Sequence, residues 1–237
     1  MNAATFVNII RKYQYTFHRV VDFIPGKDQL LSLDFTQHNT ELTPEILGNE
    51  HIFSNYVIQK LQTTNSRYGI GGYSENRTIY SISPVFNGTQ PGEEPRRLHL
   101  GVDIWGPAGT NVYAFMGGMV HSVAFNDRFG DYGATLILLH QLDGFPFYTL
   151  YGHLSARDIA TLSSGQYVSI GQTIGHFGEL HENGHWPPHL HFQIILDMQL
   201  KVGDYPGVCK YSEREKYLAN CPDPDLILQL NRYIKAQ

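Results

Sequence analysis

The stretch Trp186-Pro187-Pro188-His189-Leu190-His191-Phe192-Gln193-Ile194-Ile195 limits what this chain can become more than any other part of it. Both prolines lack the N–H that a neighbouring strand needs, so pairing begins no earlier than His189. From there the apolar and β-branched residues predict a strand, in which every second side chain shares a face. The two imidazoles then point the same way, about 6.6 Å apart at Cα. That spacing lets one hold a metal ion while the other acts on a ligand of that ion. Two buried rings with no such task would leave ring nitrogens in search of partners, so chemistry is the economical explanation.

With 42% of its 237 residues hydrophobic, the chain can fill a sizeable core. The net charge of -5 and the absence of any Lys/Arg run argue against a nucleic-acid partner. Fifteen tyrosines, 13 phenylalanines and 23 glycines suit short strands joined by tight turns. No run approaches the roughly 18 apolar residues of a membrane span. Met1 to Val21 carries helix-spaced apolar residues interrupted by Arg11, Lys12 and His18, without a continuous apolar core or a small-residue cleavage site. No signal peptide is therefore read, and a cytoplasmic protein is expected, with the periplasm or cell wall as the alternative. Cys209 and Cys221 fit two reduced thiols better than a disulfide.

Along the chain, Phe6, Ile9, Ile10, Tyr13, Phe17 and Val20 predict one amphipathic helix, and Leu31, Leu33 and Phe35 a short extended segment. Thr43-Pro44-Glu45 starts a second helix, whose buried stripe runs through Ile46, Leu47, Phe53, Tyr56, Val57 and Leu61. Gly69, Gly71 and Gly72 end this helical region. From Ile79 to Ile195 the texture is that of strands punctuated by turns, with Ala134 to His140 apolar enough for burial on both faces. Ser212-Glu213-Arg214-Glu215 reads as a capping box, and Asp223-Pro224 as the start of a last helix over Leu226 to Ile234. The expected organisation is a helical extension over 1–75, a β domain over 76–200 and a helical tail over 201–237.

A second histidine lies in Leu98-His99-Leu100-Gly101-Val102-Asp103-Ile104. On a straight strand His99 and Asp103 would stand about 13 Å apart, too far for one ion. A helix is disfavoured by Gly101, Val102, Ile104 and the Gly-Pro that follows. A bend at Gly101 remains. Together with His191 the set is two imidazoles and one carboxylate, a usual zinc ligand count where a fourth position stays open for water.

In order and spacing, His99-x-x-x-Asp103, Tyr151-Gly152-His153-Leu154-Ser155 and Pro188-His189-Leu190-His191-Phe192 resemble the lysostaphin and LytM type of zinc endopeptidase, peptidoglycan hydrolases with the duplicated hybrid motif fold. The turns Pro107-Ala108-Gly109-Thr110, Asp131-Tyr132-Gly133 and Gly165-Gln166-x-Val168-x-x-Gly171-Gln172-x-Ile174-Gly175 add to the resemblance, which runs from Arg96 to Asp197. It implies a mainly β fold with an antiparallel sandwich or barrel-like core. It further implies one zinc ion per chain on His99, Asp103 and His191, a catalytic pair His153 and His189 that does not ligate it, and a peptide or muropeptide substrate. Which histidine is the base stays open. One departure is Gly184-His185-Trp186-Pro187, where the family has a small-residue Ser-Thr-Gly approach; the indole would narrow the groove. The alternatives to a metalloendopeptidase are a zinc hydrolase of small intracellular amides and a binding module without catalysis. His121 and His140 are expected as packed groups, His181 and His185 as loop residues near the site, Trp186 as packing, and Asp131 and Tyr132 as turn residues.

Overall fold

Glycine-bounded runs of β-branched and aromatic residues pair into one large sheet in the computed structural model, which describes residues 3–234. In chain order the elements are α1 (Ala3–Tyr13), β1 (Leu30–Leu33), α2 (Pro44–Leu47), α3 (Glu50–Thr63), β2 (Tyr68–Gly71), β3 (Arg96–His99), β4 (Val102–Trp105), β5 (Asn111–Tyr113) and β6 (Gly118–Asn126). There follow β7 (Gly133–Leu142), β8 (Phe145–Leu154), α4 (Ala156–Ile159), β9 (Tyr167–Val168), β10 (Thr173–His176), β11 (His189–Ile195), β12 (Val208–Lys210), α5 (Arg214–Asn220) and α6 (Asp225–Leu228). The eight-stranded sheet has the order β1-β2-β4-β11-β8-β7-β6-β9. Its pairings are antiparallel except β1 with β2, which is parallel. Two small ladders, β5 with β10 and β3 with β12, flank it. The fold is mainly β, as expected from the strand-and-turn texture.

Alternation along β4 and β11 separates two layers. Val102, Ile104, Leu190, Phe192 and Ile194 pack into the main core, which α1 closes through Phe6 and Ile10. Phe6 sits edge-on to Phe147 at 5.0 Å between ring centroids. The opposite face carries Asp103, Trp105, His189, His191 and Gln193. There Trp105 joins Phe35, Phe53, Tyr80 and Trp186 in a second apolar cluster.

Several local expectations give way to specific contacts. The first helix stops at Tyr13, whose carbonyl accepts from the Thr16 hydroxyl, and Val20 reaches the core from non-helical chain. The helix begun by Thr43 is broken in two. Asn49 caps a new start by accepting from the N–H groups of His51 and Ile52. Gly69 and Gly71 do not end a helix but lie in β2, and a Cβ at Gly71 would come within 2.6 Å of the Arg77 guanidinium. Ser212 forms no capping box, because its N–H and hydroxyl both bond to Glu94. The last helix is only Asp225–Leu228, ended by Gln229 in the left-handed region while the Asp225 carboxylate accepts from Leu230 and Asn231.

The residues before position 76 do more than form helices. They supply β1 and β2, and β2 is hydrogen-bonded to β4 at the centre of the functional face. The tail after residue 200 likewise supplies β12 to pair with β3. Cys209 and Cys221 are buried free thiols. Among the described residues no helix is long and apolar enough to cross a membrane.

Phe35 is fully buried against Trp105, with ring centroids 5.0 Å apart, so it couples the β1 side of the sheet to β4. Phe35→Ala is expected to cost about 3–5 kcal/mol of stability. Urea unfolding followed by far-UV and near-UV signals should still show one coincident transition. Two separated transitions would mean that residues 1–75 fold as an independent unit.

Candidate metal centre

Strand register builds the site. In the antiparallel pair of β4 and β11, His191 stands directly opposite Asp103 and His189 opposite Trp105. Directly opposed residues project from one face with their Cβ atoms close together. His189 accordingly stacks on the Trp105 indole, with ring centroids 3.8 Å apart and planes 15° from parallel. His99 arrives from β3, and the chain turns at Leu100-Gly101 to enter β4. A Cβ at Gly101 would lie 2.5 Å from His191 Cε1, so the close approach of the ring to the bend needs glycine. His153 comes from β8, where the ladder to β7 shifts register by one residue between Ala134 and Leu136. At this bulge His153 adopts φ +62°, which re-aims its ring toward the cleft.

The three expected ligands converge. His99 Nε2 and His191 Nδ1 are 3.0 Å apart, His191 Nδ1 and Asp103 Oδ1 are 3.0 Å apart, and His99 Nε2 and Asp103 Oδ1 are 3.3 Å apart. All three residues are buried. A tetrahedral ion with bonds of about 2.0–2.1 Å has donor-to-donor edges of about 3.3–3.4 Å, so these atoms match one face of it.

Hydrogen bonding on the far side of each ring fixes where the protons sit, assigned from the partners. His99 Nδ1 donates to the Gly72 carbonyl at 2.9 Å, which leaves Nε2 bare in the neutral ring. His191 Nε2 donates to Gln193 Oε1 at 2.9 Å, which leaves Nδ1 bare. The Gln193 amide is oriented by its own donation to the Pro206 carbonyl. Two bare nitrogens and a carboxylate oxygen thus face one another with no proton between them. Three buried acceptors in mutual contact are costly unless a cation joins them. The residues present therefore fit a zinc ion.

His189 Nδ1 donates to the Pro187 carbonyl at 2.8 Å and His153 Nδ1 to the Asn183 carbonyl at 2.7 Å. Both keep a bare Nε2, and their rings lie 4.1 Å apart between centroids. Burial holds His189 down to about 4, burial with the Arg77 charge holds His99 at about the same value, and burial with the neighbouring rings holds His153 well below its ordinary range. For Asp103, burial alone would raise the carboxyl. The opposing influence of His99 and the Arg77 guanidinium wins and keeps it ionised.

Around this centre lies a small cleft of about 80 Å³, walled by Tyr80, Phe86, Trp186, Tyr132 and Asp131. Beside it, the Ser83 hydroxyl donates to the Phe129 carbonyl, which ties the turn before Val85 and Phe86 to the chain before Gly130. Trp186 is both packed on Tyr80 and part of the wall. Asp131 and Tyr132, expected as turn residues, line the cleft; Tyr132 lies 5.1 Å from the His191 ring and 5.7 Å from that of His153. His185 pairs with Glu50 of α3 at 2.6 Å, and His140 is buried between the Gly117 carbonyl and Thr149. His121, His140, His181 and His185 do not line the cleft. Arg77 and Gln193 escaped notice in the sequence. Gln193 left a signal, as the third polar residue in the His189-x-His191-x-Gln193 alternation. Arg77 left none, because only the path of the chain brings it to Asp103.

A mainly antiparallel β domain carrying a buried His-Asp-His centre is the class of protein that this geometry defines. Residues 97–201 match the model of Peptidase family M23. The chain is 32% identical over 131 residues to the DD-carboxypeptidase/endopeptidase Mpg of Neisseria meningitidis serogroup B, a match covering 54% of this chain and 28% of that protein. The chain thus spans little more than a quarter of the length of the curated relatives it matches. A zinc-containing peptidase from Vibrio cholerae is similar in structure at 27% identity, covering 46% of this chain and 30% of that one, with a TM-score of 0.34. The catalytic domain of lysostaphin from Staphylococcus simulans aligns at 23% identity over 67% of this chain and 96% of its own, with a TM-score of 0.38.

Adding one methyl group to the bend tests the geometry. Gly101→Ala should push the His191 ring aside and lower stability by about 1–3 kcal/mol, read from the urea midpoint. The ring-nitrogen NMR shifts of His191 should move with it.

Proposed function

We propose that this chain is a zinc metallopeptidase that hydrolyses an amide bond in peptides of the peptidoglycan type. One zinc ion would be held by His99 Nε2, Asp103 Oδ1 and His191 Nδ1. The observation that carries this reading is the set of three unprotonated donor atoms 3.0–3.3 Å apart beside two further imidazoles with bare nitrogens. The M23 match over residues 97–201 and the similarity to the Neisseria DD-carboxypeptidase/endopeptidase support it. When bound, zinc supplies Lewis acidity and a water acidified toward neutral pH.

The chain's own groups divide the remaining work. His189 Nε2 is the better seat for a proton taken from the attacking water. It lies 4.0 Å from Asp103 Oδ1, and the charge it would gain is favoured there and by the face of Trp105. Donation from Nδ1 to the Pro187 carbonyl holds the ring in the required tautomer. The same proton can pass from Nε2 to the leaving amine. His153 faces the cleft from the other side of His189, placed to bond the scissile group once it carries a proton itself. Tyr80, Phe86 and Trp186 exclude water from this end of the cleft.

The small volume favours a second substrate reading. About 80 Å³ is well under the several hundred Å³ common for ligand sites, which suits a short peptide or small amide better than a long cross-bridge. A hydrolysis screen over cross-linked muropeptides, glycine peptides and small amides separates the two, with His189→Ala as the inactive control. His191→Ala is expected to lose bound zinc, measured by elemental analysis. His153→Ala should keep the metal while turnover falls about 100-fold or more. Metal loss on replacing His153 would move that residue into the ligand set, and a zinc-free wild-type protein would remove the peptidase reading.

A further inference from the structure

The segment that matches the peptidase family begins at residue 97, yet part of what holds the proposed ligands lies before it. Arg77 is 1% exposed, and its guanidinium is fully engaged. Nη1 donates to Asp103 Oδ2 at 2.5 Å and to the Tyr80 hydroxyl at 3.1 Å, Nε donates to Glu75 Oε2 at 2.6 Å, and Nη2 to the Gly72 carbonyl at 3.3 Å. The same Gly72 carbonyl accepts from His99 Nδ1. One short stretch after β2 thereby touches the outer side of two of the three donors. With Oδ2 taken by Arg77, Asp103 has only Oδ1 to present to His99 and His191.

We infer that Arg77 is a positioning residue for the metal centre: it locks the Asp103 carboxylate into one orientation with a single free oxygen and so sets the affinity and coordination of the bound ion. This rests on the zinc reading above. The guanidinium suits the task because its planar fork reaches four acceptors at fixed angles, which an ammonium cannot do. The sign of its effect is informative. A buried cation close to a divalent ion repels it, so a purely electrostatic Arg77 weakens zinc binding and its removal tightens it. A positioning Arg77 does the opposite, since partners on the far side of metal ligands are worth about tenfold to hundredfold in affinity.

The test is zinc affinity of the full chain by competition with a chromophoric chelator, with folding followed by circular dichroism and urea midpoint. Arg77→Met is expected to bind zinc about 10–100 times more weakly. Arg77→Lys should recover part of that loss, and Glu75→Gln, which loosens the brace without touching Asp103, should weaken binding several-fold. Cobalt-loaded Arg77→Lys should also show a shifted visible absorption spectrum, a change that mere loss of stability does not produce. Unchanged or tighter zinc binding in folded Arg77→Met overturns the inference. If that variant does not fold, unchanged affinity and an unchanged cobalt spectrum in both Arg77→Lys and Glu75→Gln overturn it instead. Failure of the underlying zinc reading looks different: the wild-type chain would take up no zinc, or His191→Ala would bind it as well as the wild type.

Discussion

The pairing of β4 with β11 in a register that sets His191 opposite Asp103 is the constraint on which the functional face depends. A slip of one residue would turn both histidines of β11 into the apolar core and bring Leu190 and Phe192 onto the cleft. That slip is opposed from both sides. Leu190, Phe192 and Ile194 are fully buried in the main core, while Trp105 on the facing strand is sandwiched between His189 and the Phe35 and Phe53 rings. Hydrophobic packing on one face of the sheet thus holds the polar chemistry on the other.

Burial is what makes that chemistry possible. His99, Asp103, His153, His189 and His191 are all shielded from solvent, and each ring has a fixed acceptor on its outer side, so the bare nitrogens are kept neutral and pointed inward. Three unprotonated acceptors in contact carry a cost that a bound cation would relieve. Arg77 offsets part of it by pairing with the carboxylate, and Gln193 and Gly72 satisfy the far nitrogens. The residues around the centre come from β2, β3, β4, β8 and β11 and from the loop after β2, so stability of the whole sheet and order at the site are linked.

The elements outside the segment that matches the M23 model are woven into this arrangement. β2 lies beside β4 with Gly71 opposite Asp103, and the absence of a side chain at Gly71 leaves room for the Arg77 guanidinium. The turn from Ile79 to Phe86 lines the cleft and is tied to the loop around Phe129 by the Ser83 hydroxyl. A small, aromatic-walled cleft results.

From the sequence alone came the strand starting at His189, the shared face of its histidines, the bend at Gly101 and the mainly β character. These follow from local rules: proline blocks pairing, side chains alternate along a strand, and glycine lets the chain bend. The extents of the helices were not legible, because Thr16, Asn49, Glu94 and Asp225 stop or start them through hydrogen bonds to particular backbone or side-chain groups. Nor were Arg77, the positive φ of His153 or the walls of the cleft. Each of those is set by which distant backbone lies alongside, and that is fixed by packing the whole chain at once; periodicity records only which face of its own element a residue takes.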